Sequence, residues 1–342
     1  MDEKKLKILI MRLSALGDIV NLTVIFSKVR EKYPTAEIHL VTKKQFRPIV
    51  EPNDYEIRVI DYDTETRLKG WLQLCRRLQH ENYDCFLDMH ANMRSWILKR
   101  HLNNVKTAHF VKPRIRRFFL FYLGLNFFSK SFTLISEYLK VLRVIGIDES
   151  EGETEILLDG QVRKEAENLL SGCGVNRNFV VILPIAAWKN KRYDLENYKK
   201  VSEMIIAQKD LQVVWLGGKG DDYLMDINFD SRDIIKIIGK SSLTISMAIL
   251  NMAVAVIGND TGLTYAAQAL GTPSLIIIGP TSRETGAGHI QKGSLVLEKE
   301  LWCRPCSQKG DRRCYRRKQY CLDFSAAEVY QKFLTVLSGE SK

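Results

Sequence analysis

No apolar run in the 342 residues approaches the ~20 that a membrane-spanning helix needs. The most apolar stretch, FFLFYLGLNFF from Phe118 to Phe128, can touch a membrane but cannot cross one. The start, MDEKKLKILIM, is charged and enters a strand directly, so neither a signal peptide nor a transit peptide is expected, and the chain is expected in the cytoplasm. Two phosphate-binding loops are missing as well. A dinucleotide-binding domain would carry G-x-G-x-x-G after its first strand, where RLSALGD has one glycine, and the later GGKGDD lacks that spacing. G-x-x-x-x-G-K-[ST] does not occur. A nicotinamide enzyme and a P-loop ATPase are therefore disfavoured. Cysteine is sparse and odd in number, and Cys75, Cys85 and Cys173 are scattered as free thiols are in a reducing compartment. There is no low-complexity tract and no short-period repeat.

What is present is the composition of a soluble globular protein, 45% hydrophobic and 27% charged, long enough for two domains with a core each. The 51 Lys and Arg against 40 Asp and Glu leave +11, which favours anionic partners without choosing among nucleotides, phosphorylated glycans, acidic lipid and nucleic acid. KILIM, EIHLV, IRVID, YDCFLD and VKTAHF read as strands separated by amphipathic helices. The polar DESEGETE, 148–155, interrupts them, and the pattern restarts with FVVILP, LQVVWLGG, DIIKIIG, VAVIG and SLIIIGP. This alternation predicts α/β architecture with two similar doubly wound parallel-sheet domains in tandem.

The stretch RLSALGDIVNLTVI places Asp18 in the first turn of a helix whose Leu22, Ile25, Phe26 and Val29 form a buried stripe, at the carboxyl end of the first strand. Such an acid either complements the helix dipole or serves a ligand there, since open α/β sheets bind ligands beyond their strands' carboxyl ends. DMHANMRS, 88–95, stands at a similar turn. In the second half, PIAAWKNKRYDLENY, 184–198, brings Lys189, Lys191 and Arg192 to a strand end, suited to a diphosphate or simply to solvent. NDTGLTYAAQALGTP, 259–273, opens a helix at Asp260, Thr261 and Gly262, either an ordinary cap or a phosphate-receiving amino terminus. Asp221 in GGKGDD suits ribose hydroxyls or a helix cap.

In order and spacing these stretches resemble the ADP-heptose:lipopolysaccharide heptosyltransferases, glycosyltransferase family nine. The matching residues are Arg12, Ser14, Gly17 and Asp18; Asp88, His90, Arg94 and Ser95; Ala187, Trp188, Lys191 and Arg192; Gly217, Gly218 and Asp221; Asp260, Thr261, Gly262, Leu263, Ala267 and 270–273; and Gly279, Pro280 and Thr281. The resemblance implies a GT-B fold of two facing Rossmann-like domains. The acceptor domain would be 1–155, the nucleotide-sugar domain 156–322, and 323–342 a helix returning toward the first domain. It implies Asp18 as general base, with Lys191 also catalytic through the diphosphate. Donor contacts would come from Trp188, Lys191, Arg192, Asp221, Asp260, Thr261, Gly262, Leu263 and Tyr265, and acceptor contacts from Ser14, Gly17, His90, Asn92 and Arg94. The expected reaction is inverting transfer from an ADP-sugar, an ADP-heptose, to a lipopolysaccharide core or lipid-linked glycan, without metal or other cofactor.

Three positions depart from the family: Tyr265 stands where histidine is usual, Ala91 where glycine is frequent and Tyr193 where tryptophan is common. In the tail, Cys303, Cys306, Cys314 and Cys321 offer four thiolates for zinc, but the second pair is not C-x-x-C, so free thiols are expected. KPRIRRFFLFYLGLNFF, 112–128, is either a core helix with a charged start or a surface that meets anionic lipid at the inner face of the cytoplasmic membrane. Two other readings compete. A nucleic-acid-binding protein rests only on the charge and on the arginine-rich 112–117 and 312–318, which carry no RNA- or DNA-binding motif, so no nucleic-acid partner is expected. A catalytically idle glycan-binding relative conflicts with the retention of Asp18 and Lys191.

Overall fold

The computed structural model describes residues 5–51 and 55–339; the charged start of the chain and its last three residues lie outside them. The apolar runs of the first half form β1 (Lys7–Met11), β2 (Glu37–Lys43), β3 (Ile57–Tyr62), β4 (Cys85–Asp88) and β5 (Lys106–His109). They pair in the order β3-β2-β1-β4-β5, each pairing parallel. Crossovers run through α1 (Leu16–Lys32), α2 (Arg47–Val50), α3 (Arg67–Gln79) and α4 (Met93–His101). Helices on both faces explain why central β4 is buried along its whole length, whereas edge strand β5 has no buried residue. The stripe of α1 is buried as expected, and Trp71 of α3 anchors a cluster with Leu9, Met11, Ile60, Phe86 and Leu98.

Helices α5 (Arg114–Leu123), α6 (Leu134–Leu139) and α7 (Gly160–Gly172) follow. The second sheet comprises β6 (Phe179–Leu183), β7 (Gln212–Gly217), β8 (Ile234–Ile238), β9 (Ala255–Asn259), β10 (Ser274–Ile277) and β11 (Leu295–Leu297). Its order is β8-β7-β6-β9-β10-β11, again wholly parallel. The helices here are α8 (Leu195–Gln208), α9 (Leu243–Met252), α10 (Gly262–Ala269) and α11 (Ala326–Leu337). Only β11, three half-buried residues at the edge, was not among the expected strands.

The chain divides into two compact units, Met1–Pro113 with Phe132–Leu158, and Arg114–Ser131 with Asp159–Lys342. The basic and aromatic segment around α5, placed by sequence in the first domain, thus belongs to the second unit: Arg117 Nε donates to the Glu284 carbonyl at 2.9 Å and Asn126 to the Glu284 carboxylate at 3.2 Å. The final helix, expected to return toward the first domain, packs on α8 and on β9, β10 and β11, burying Val329, Tyr330, Phe333 and Val336.

In each sheet the strand order reverses beside the first strand, between β1 and β4 and between β6 and β9. Ligands of open α/β sheets bind outside the carboxyl ends of the strands at that reversal. The loops leaving these four strands are 12–15, 89–92, 184–194 and 260–261, which carry the four stretches singled out from the sequence.

Candidate functional site

In the first unit, Asp18 is the third residue of α1 and accepts a hydrogen bond from the Ala15 N–H at 2.9 Å. It is more than a cap. The guanidinium of Arg12, only 6% exposed, forms an ion pair with one carboxylate oxygen, and the Tyr138 hydroxyl donates to the other at 3.1 Å. Arg12 is in turn held by the Ser14 carbonyl at 2.8 Å and by the Met89 carbonyl, so the end of β1 is tied to the end of β4. Gly17 lies in the same turn, half-buried.

Asp88 closes the next loop by accepting from the His90 and Ala91 N–H groups at 3.0 and 2.7 Å, with Ala91 at φ 48°, the left-handed region that suits the glycine frequent there. His90 is pushed down to about 4, first by burial and then by the Arg12 and Lys112 charges. Its imidazole is therefore neutral near pH 7, and its Nδ1 is buried without a hydrogen-bond partner. Lys112 Nζ donates to the His90 carbonyl at 2.6 Å. Asn92, expected to touch acceptor, uses its side-chain oxygen as the N-cap of α4, receiving the Arg94 and Ser95 N–H groups at 2.9 and 3.2 Å. Arg94 is exposed, its guanidinium 5.7 Å from the centre of the Tyr62 ring.

The second unit is organised by Asn259, fully buried at the end of β9. Its side-chain oxygen accepts from the Tyr193 N–H at 2.9 Å and the Tyr198 hydroxyl at 3.0 Å, while its amide donates to the Ile185 carbonyl at 3.2 Å. This bolts the loop after β6 to the start of α10. Across that joint Lys191 Nζ meets the Asp260 carboxylate at 2.5 Å. Asp260 also accepts from the Thr281 hydroxyl at 2.7 Å and from the Tyr265 hydroxyl at 2.8 Å, and the Tyr265 oxygen receives the Gly288 N–H at 2.9 Å.

Tyr265 is thus buried beneath Asp260 and orients it. Burial and the neighbouring carboxylate both hold its phenol well above the usual range, so it remains a proton donor. Thr261 is the N-cap of α10 but makes no side-chain cap, which leaves the first turn at Gly262 and Leu263 without a side-chain partner. An uncapped helix start beside a lysine is a receptor for phosphate oxygens.

Around it, Trp188 is 43% exposed at the head of the Lys189–Lys191 turn. Arg192 stacks 4.7 Å from the centre of the Tyr223 ring and donates to the Ala186 carbonyl at 3.1 Å. Asp221, at the end of β7, accepts from the Gly218 N–H at 2.9 Å. Tyr223, two residues on, was not anticipated from the sequence, yet its buried hydroxyl has no hydrogen-bond partner. Tyr138 was also missed. It lies 120 positions from Asp18 in a stretch without a motif, and only folding brings α6 to α1. Among the described residues no group of three or more His, Cys, Asp or Glu side chains is placed to hold a metal ion, and all seven cysteines are free.

Two Rossmann-like parallel-sheet units, each with its motif-bearing loops at its switch point, define an α/β protein of the doubly wound class, whose ligands bind beyond the carboxyl ends of the strands. Residues 71–315 match glycosyltransferase family 9 (heptosyltransferase), and the chain belongs to that family. It is a glycosyltransferase. It is 25% identical over 285 residues to lipopolysaccharide heptosyltransferase 3 of Escherichia coli K12, covering 78% of this chain and 80% of that one. Among solved structures, the family 9 glycosyltransferase of Veillonella parvula superposes with a TM-score of 0.79 at 19% identity, covering 99% of both chains. The ADP-heptose lipopolysaccharide heptosyltransferase II of E. coli superposes at 0.76 and 17% identity, covering 98% of this chain and all of that one. At these identities the superpositions speak for the fold, which is of the GT-B class.

Proposed function

We propose that the protein transfers a heptose, with inversion, from an ADP-linked donor to a hydroxyl of a lipopolysaccharide core or lipid-linked glycan. The observation that carries the donor half is the Lys191–Asp260 pair at the uncapped start of α10. A diphosphate seated there meets the ammonium of Lys191, the guanidinium of Arg192 and the free N–H groups of Gly262 and Leu263, which together stabilise charge as the leaving group departs. Trp188 opens the turn that carries Lys191 and Tyr223 stacks on Arg192, and with Asp221 they supply groups for ribose and base. The E. coli protein that shares this fold is an ADP-heptose lipopolysaccharide heptosyltransferase, which favours ADP-heptose as the donor.

The acceptor half rests on Asp18. Arg12 supports its negative charge and Tyr138 fixes its orientation, while Ser14, Gly17 and the Arg94 guanidinium offer contacts to a polyhydroxylated ligand. The acceptor oxygen attacks the anomeric carbon, its proton passes to Asp18, and the bond to the diphosphate breaks with its electron pair leaving on ADP. One displacement inverts the centre, and no metal is needed if the cations and helix N–H groups carry the leaving charge.

The test is transfer from ADP-heptose to core acceptor by the purified protein. Asp18→Asn is nearly isosteric and should lower turnover by roughly 10²-fold or more, the scale of a lost general base, while ADP binding survives. Near-normal turnover would remove Asp18 from that role.

The membrane-facing part of the proposal rests on α5. Leu120 is its one buried residue, while Ile115, Phe118, Tyr122 and Leu123 are more than half exposed beside Arg114 and Arg116. A core helix would not present that face. Basic residues near an anionic bilayer contribute about 1 kcal/mol each and are screened by salt, and apolar side chains add interfacial burial. Arg117 is tied to Glu284, so the informative substitutions are Arg114→Gln and Arg116→Gln with Phe118→Ser. They should reduce sedimentation with anionic liposomes and leave ADP affinity intact. Liposome binding indifferent to these changes and to salt would remove the segment from any membrane role.

A further inference from the structure

Lys191 does not hold its position from its own loop alone. Between Glu298 and Ser325 the chain has no strand or α-helix, only the single turn Tyr320–Leu322, yet it lies along the Lys189–Lys191 turn at three points. Asn190 Nδ2 donates to the Arg312 carbonyl, and Gln319 Nε2 donates to the Asn190 carbonyl. Just ahead of both in the chain, Gly310 approaches the lysine so closely that a Cβ there would stand 2.6 Å from Lys191 Cγ, 3.3 Å from Cδ and 3.4 Å from Cε. Gly310 has φ +79°, a backbone conformation that other residues adopt with strain.

The turn that presents Gly310 is itself rigidly built. The fully buried Ser307 hydroxyl accepts the Gly310 N–H at 2.9 Å and the Asp311 N–H at 3.1 Å and donates to the Asp311 carboxylate at 2.6 Å. Gln308 Nε2 donates to the Thr285 carbonyl at 3.0 Å, in the loop that follows Thr281, the hydroxyl donor to Asp260. Backbone without a side chain is thus laid against the aliphatic stem of Lys191, whose ammonium then ends on Asp260 at the mouth of α10.

We propose that the 306–312 turn is a positioning element of the donor site, with Gly310 walling the Lys191 stem so that the ammonium is already aimed where the diphosphate binds. Lysine is rich in rotamers, and a donor that must order it binds more weakly than one that finds it ordered. This rests on the donor-site reading of Lys191, and the experiment separates the two. ADP affinity is measured by calorimetry, and by displacement up to millimolar ADP, for the parent, Gly310→Ala, Lys191→Ala and the double variant.

Gly310→Ala should weaken ADP about tenfold and raise the donor KM with little change in kcat, as loss of preorganised binding does. In the Lys191→Ala background, where the stem is gone, the same substitution should change affinity less than about twofold. Equal loss in both backgrounds would mean general backbone strain and overturn the proposal, as would unchanged affinity in Gly310→Ala. Affinity indifferent to Lys191→Ala would overturn the donor-site reading and the positioning with it. The paired change Asn190→Ala with Gln319→Ala, which cuts both polar links without adding a Cβ at φ +79°, serves if Gly310→Ala does not fold. It too should weaken ADP, and parental affinity there would count against the proposal.

Discussion

His289 shows how far a single buried group can tie this protein to pH. Burial alone pushes its imidazole down to about 4, and its Nε2 is buried without a partner. In the unfolded chain a histidine titrates near 6.5, so between about pH 6.5 and 4 the unfolded state takes up a proton that the folded state refuses. The stabilising effect is full above that window and is lost as pH falls through it. For His289 the loss between pH 7 and 5 amounts to roughly 2 kcal/mol at most. Urea midpoints at the two pH values should therefore converge in His289→Gln relative to the parent, and an equal pH-induced loss in both proteins would rule the residue out. Tyr265 illustrates the opposite choice. Where the family usually has a histidine, a phenol held well above the usual range keeps its proton across the whole physiological interval and donates steadily to Asp260.

At the scale of elements, the legible part of the sequence was its apolar runs and its strand-to-helix turns. Ten strands formed in the stretches read as strands: where both faces are covered, as at β6 and β7, the run is dominated by apolar residues with no polar alternation to obscure it, whereas edge strand β5 formed with no buried residue. β11 escaped because three half-buried residues carry no such run. The candidate site's turns were legible for a physical reason too: open parallel sheets bind ligands beyond the carboxyl ends of their strands, and the motifs begin there. Tyr138, Tyr223 and Gly310 were not legible, since each acts through a contact made by folding, on α6, in a short turn after β7 and in an irregular tail. The segment around α5 was misplaced for a related reason. Its position in the chain argues for the first unit, but Arg117 and Asn126 bind the Glu284 loop of the second. Asn92, expected to contact the acceptor, caps α4 with its side chain.

For the whole molecule, the division into two units with separate sheets confines the proposed donor contacts to one part of the chain. Everything proposed to touch ADP, from Trp188 to Leu263, lies in the second unit, and Asp18, the proposed base, lies in the first. A ligand that binds only the folded form of a region stabilises that region by RT ln(1 + [L]/Kd), about 2.7 kcal/mol at a hundredfold excess over Kd. Hydrogen exchange followed by mass spectrometry on the intact protein can read this strand by strand. Saturating ADP should slow exchange in β6, β9 and the first turn of α10, with the Lys189–Lys191 turn, by the largest factor. It should leave the amides of β2 and β3, remote in their own sheet from the β1/β4 reversal, near their ligand-free rates. Lys191→Ala should abolish the protection at sub-saturating ADP, and Asp18→Asn should leave it in place. Uniform protection of both sheets would show that ADP stabilises one cooperative body, and protection confined to β1 and β4 would transfer the nucleotide site to the first unit.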